Sequence, residues 1–61
     1  MKKAYIDRIS SELIVIGWDP NWAREQMLAL GLKSWGWIDS DDRAIPDSWE
    51  AIELSDEGTT I

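Results

Sequence analysis

A chain of 61 residues with no cysteine, no histidine and a net charge of −6 excludes disulfide staples and thiolate or imidazole metal ligation. It also excludes catalysis by imidazole or thiolate. One domain of this size lies near the lower limit for folding unaided, so stability rests on packing or on association. Five tryptophans supply packing material, each buried ring removing roughly 150–250 Å² from water.

Residues 3–10 read as a first strand, with Tyr5, Ile6 and Ile9 as strand formers and Asp7 and Arg8 facing water. A polar break at Ser10, Ser11 and Glu12 is short enough for a hairpin. Residues 13–18 (LIVIGW) form the strongest strand pattern, a β-branched run suited to a central position. Gly17 near its end marks a bulge or a close backbone approach.

Residues 19–31 carry the clearest signals. Asp19 is placed to cap a helix, Pro20 suits the first helical position, and Gly31 suits the left-handed residue that ends it. Leu32 then falls where a Schellman stop returns an apolar residue onto Met27. Trp22, Ala23, Met27, Ala29 and Leu30 share one arc, interrupted by Gln26, and predict the packing face. Leu28 lies on the other side with Arg24 and Glu25, as peripheral core or as contact surface.

Residues 34–39 (SWGWID) predict a third strand, with Trp35 and Trp37 on one face and Gly36 and Ile38 on the other. Residues 40–43 have turn composition, and residues 44–46 are extended because Ile45 precedes proline. Residues 47–54 fit either a capped two-turn helix or a fourth strand. The strand is favoured, since an antiparallel partner for the third strand is otherwise missing. Residues 1–54 then make one α+β domain. It is a small antiparallel β-sheet in the order β-β-α-β-β, with one amphipathic helix packed on it and a frayed polar tail at 55–61.

Charge divides the chain. Residues 1–38 are nearly balanced, whereas residues 39–61 carry eight acids and one base, Arg43. Such an acidic half repels phosphate, which argues against direct contact with nucleic acid or an anionic membrane. Its natural complement is a protein partner with a basic surface. Asp7 and Arg8 interrupt any apolar signal segment, and the apolar run at 13–16 is too short to cross a bilayer, so a cytoplasmic location is expected.

The stretch 34–49 concentrates the candidate chemistry, with three tryptophans and four acids. Asp39, Asp41, Asp47 and Glu50 fall at positions 1, 3, 9 and 12 of an EF-hand loop. Arg43 at position 5, Ala44 in place of the turn glycine and Pro46 at position 8 oppose calcium, so no metal or other cofactor is expected. No nucleophile elbow, phosphate-cradling loop or dinucleotide fingerprint occurs, and no enzyme activity is expected. Stacking of sugar rings on exposed indoles is a weaker alternative.

Tryptophan flanked by carboxylates is a contact pattern. The expected partner-binding residues are Asp39, Asp41, Asp42, Asp47, Glu50, Glu53, Trp35 and Trp37, with one or two of the five tryptophans exposed. The expected function is a non-catalytic acidic binding protein that occupies a basic, nucleic-acid-binding surface of a partner. In type, though not in any specific motif, it resembles small cysteine-free acidic proteins of phages and mobile elements that inhibit restriction or CRISPR machinery. The alternative is a self-associating accessory module, a homodimer in which acidity only confers solubility.

Overall fold

The computed structural model describes residues 2–54. They form β1 (Lys2–Asp7), β2 (Glu12–Ile16), α1 (Pro20–Leu30), β3 (Ser34–Ile38) and β4 (Trp49–Leu54). This is the α+β arrangement that the residue pattern predicts, one helix on a four-stranded sheet. The tail expected over 55–61 lies outside the described residues.

Strand order is β3-β2-β1-β4, and the sheet is mixed. β1 pairs antiparallel with both β2 and β4, whereas β3 pairs parallel with β2. The expected antiparallel pairing of β4 with β3 is therefore corrected. A helical crossover returns the chain to the start of the preceding strand, so β3 enters parallel to β2 along its free side. The last strand then takes the other vacant edge, beside β1.

Strand ends are set by local backbone chemistry. The Asp7 carboxylate accepts from the Ile9 N–H at 3.0 Å and the Ser10 N–H at 3.4 Å, and Ser11 turns with φ +58°. β1 thus stops three residues before the predicted end, leaving Ile9 84% exposed in the turn. β2 stops at Ile16, not Trp18, because Gly17 adopts φ +91°. The Gly17 N–H still donates to the Ile38 carbonyl at 2.7 Å, which is the close approach expected there.

The helix signals operate as predicted. Asp19 accepts from the Trp22 N–H, Pro20 opens α1, and Gly31 sits at φ +73°. The Gly31 N–H reaches the Leu28 carbonyl and the Leu32 N–H the Met27 carbonyl, the paired bonds of a Schellman stop. The buried arc is shifted from the predicted one. Trp22, Ala23 and Gln26 are buried and Met27 partly so, while Ala29 and Leu30 are exposed. The helix meets the core through Trp22, Ala23, Gln26 and Met27, and its last residues, Leu28 to Leu30, are exposed. Leu28 is 64% exposed.

Alternation along the strands creates two apolar layers. Beneath the helix, Ala4, Leu13, Val15, Trp22 and Ala23 are buried, with Ile6, Met27, Leu32, Trp35, Ile52 and Leu54 packed around them. On the opposite face, Tyr5, Ile14 and Ile38 are buried against Ile16, Ile45 and Trp49. No helix among the described residues covers that second layer, and the connection between β3 and β4 packs Ile45 against it.

Candidate binding surface

The path of residues 39–48 follows from register. Ile38 lies beside Ile16, and Val15 opposite Ala4, so β3 ends near the Lys3 end of β1. Trp49 lies opposite Asp7, at the other end of β1. The connection must therefore run diagonally across the second face, and three contacts pin it there. Lys3 Nζ meets the Asp41 carboxylate at 3.2 Å, Ile45 packs into the apolar layer, and the Arg8 N–H donates to the Ser48 carbonyl at 3.3 Å. A short turn from Pro46 to Trp49, closed at 3.1 Å, then delivers the chain into β4.

This crossing strip carries most of the acids expected to bind a partner. Asp39, Asp42 and Asp47 are exposed, and none forms an ion pair among the described residues. The Asp42 N–H donates to Ser40 Oγ at 3.2 Å, which fixes the turn. Asp41 is partly neutralised by Lys3. Glu53 stands opposite Lys3 in register and projects to the same face as the strip. Glu50 projects to the helix side and pairs with Arg8.

Trp35 and Trp37 are not part of this acidic face. In register with Leu13 and Val15, they lie on the helix side at the far edge of the sheet. Trp49, the third tryptophan of the stretch, is half-buried against Tyr5 with ring centres 5.9 Å apart. Proximity in sequence thus divides into two surfaces, an acidic face and an aromatic edge.

The aromatic edge has a member that the sequence pattern missed. Trp18, expected to end the second strand, is 65% exposed beyond Gly17. Its ring lies 5.8 Å from that of Trp35 and 5.5 Å from that of Trp37. Trp37 is 43% exposed, so two of the five tryptophans face solvent substantially. The signal was available in Gly17, whose positive φ turns the next side chain out of the strand.

Electrostatics within the fold are local. Asp19 is held below the ordinary carboxylate range, chiefly by its bond to Lys2 at 2.8 Å, with the Trp22 N–H assisting. Lys2 Nζ also sits 4.5 Å above the Trp22 ring. Asp7 is lowered first by the Ile9 N–H and then by Ser10. Lys3 is raised first by the Tyr5 hydroxyl and then by Asp41.

Asp39, Asp41, Asp47 and Glu50, the acids with calcium-loop spacing, do not converge. Two of the four are already engaged by Lys3 and Arg8. Among the described residues no three carboxylates form a group able to hold a metal ion, and no enclosed pocket is present. No helix among them is long and apolar enough to cross a membrane. No family model, curated protein or solved structure matches this chain.

Proposed function

We propose that this protein is a non-catalytic binding domain whose acidic face occupies a basic surface of a protein partner. The observation that carries this reading is the strip 39–48, a connection pinned over the second apolar layer with Asp39, Asp42 and Asp47 exposed and unpaired among the described residues. Pinning matters because a rigid array of charge loses less entropy on binding than a free tail. Carboxylates held in such an array compete for the lysine and arginine side chains that hold phosphates. The partner surface in this reading is one that ordinarily receives nucleic acid, as in restriction or CRISPR machinery, and the protein acts in the cytoplasm as an inhibitor or regulator.

The test uses the immobilised full chain to capture proteins from a cell lysate, eluted with duplex DNA or with salt. A nucleic-acid-binding protein is expected to be released by DNA and to lose affinity steeply as ionic strength rises. The double variant Asp42→Lys, Asp47→Lys is expected to lose capture while keeping the native near-ultraviolet spectrum, since both side chains are exposed. Capture that survives both DNA and charge reversal overturns the reading.

A further inference from the structure

β3 is an edge strand, and no strand among the described residues pairs with its free side. The Gly17 N–H donates to the Ile38 carbonyl, so the backbone of Ile38 faces β2. By the two-residue alternation, Gly36 faces β2 as well, while the backbones of Trp35 and Trp37 face outward. Natural edges are blunted by proline, by bulges or by inward charges. Ser34–Ile38 contains none of these.

We infer that a second copy of this chain pairs with β3, antiparallel and about a twofold axis at Gly36. The sequence around that residue is self-complementary in charge. A twofold at Gly36 sets Lys33 opposite Asp39 of the other copy, twice. Both side chains are exposed, and neither forms an ion pair among the described residues. The same register sets Trp35 opposite Trp37 as a hydrogen-bonded pair, with both rings on the helix side. Each Trp18 extends that aromatic row. Glycine at the axis removes a side chain from the point of closest approach. One term opposes assembly. A Cβ at Gly36 would lie 2.9 Å from Glu12 Oε2, so the two Glu12 carboxylates approach the axis on the other face.

The result is a continuous eight-stranded sheet. A twofold perpendicular to the sheet keeps each face on its own side, so both acidic strips point the same way. The inference shares Asp39 with the partner reading, but it is tested on the pure chain and at residues other than Asp42 and Asp47, so each reading can fail without the other.

Sedimentation equilibrium at about 0.15 M ionic strength, where charges beyond roughly 8 Å are screened, reads the assembly directly. The mass is expected to rise with concentration from 7.0 kDa toward twice that value. Lys33→Asp or Asp39→Lys alone is expected to weaken the dimer about tenfold, because each replaces two attractive cross-strand pairs with repulsive ones. The double variant Lys33→Asp, Asp39→Lys restores the attraction and the dimer. Amide exchange at Trp35 and Trp37 is expected to slow with concentration in the native chain and in the double variant. A mass of 7.0 kDa at every concentration overturns the inference, and leaves the edge to a strand from another protein. A dimer indifferent to the single reversals, or amides at Trp35 and Trp37 that exchange at a constant rate, also overturns it.

Discussion

Gln26 is the residue least at home in its surroundings. It is 3% exposed beneath the helix, and its Nε2 has no hydrogen-bond partner among the described residues. A buried donor left unpaired costs about 1–3 kcal/mol, whereas an apolar side chain of similar length carries no such penalty. Gln26→Met is therefore expected to stabilise the domain by about 1 kcal/mol, because methionine follows the same path without the amide. Thermal unfolding followed by tryptophan fluorescence measures this. A lower melting temperature in the variant would mean that the amide does have a partner in solution. In the sequence pattern Gln26 interrupts an apolar arc. Burial at that position was not legible from residue type, since glutamine is usually exposed.

Among the elements, α1 is capped and tied to β1 by the same carboxylate. Asp19 caps the helix through the Trp22 N–H and ties it to β1 through Lys2. Its ionisation is favoured in the fold, as is that of Asp7, so both proton affinities fall on folding. The stability they contribute is complete above the ordinary value of 3.8 and is lost as pH falls through the lowered folded values. A melting temperature that drops below that pH is the expected outcome. Asp19→Asn keeps a good cap but loses the charge, so its acid limb is expected to be shallower. Equal acid limbs for the two proteins would assign the loss to Asp7. Lys3, raised instead, adds stability that is complete below 10.5 and lost at higher pH.

The elements themselves were largely legible, and for definite reasons. Asp19, Pro20 and Gly31 are punctuation with one meaning each, so the helix bounds were fixed within a residue. The extent of β1 was not, because Ile9 is a strand former overruled by a side-chain turn centred on Asp7. Residues 47–54 held two patterns. Strand pairing prevailed over the isolated two-turn helix because β1 offered a free edge for all six residues of β4.

At the scale of the whole molecule, the pairing of β4 was not legible. Short-range pattern identifies strands, but the choice between two vacant edges depends on what the connection can bury. Here Ile45 and Trp49 close the second apolar layer only if the chain crosses to β1. That crossing also separates the acids from Trp35 and Trp37, which adjacency in sequence had grouped together. The candidate site was thus legible as a list of residues and not as a surface.

The pairing of first with last strand has a practical corollary. Lys2 lies opposite Leu54, whose strand β4 is the edge farthest from β3. Attachment to a support near Leu54 leaves the tryptophan edge, three strands away, unobstructed. The same neighbourhood permits the chain to be rewired. A short glycine-rich bridge from Leu54 to Lys2, with new ends opened between Ile9 and Ser10, keeps every strand pairing intact. Such a permutant is expected to retain the native far-ultraviolet and near-ultraviolet spectra, since the opened turn is exposed. Loss of cooperative unfolding in the permutant would show instead that the β1–β2 hairpin must close first for the remaining strands to assemble.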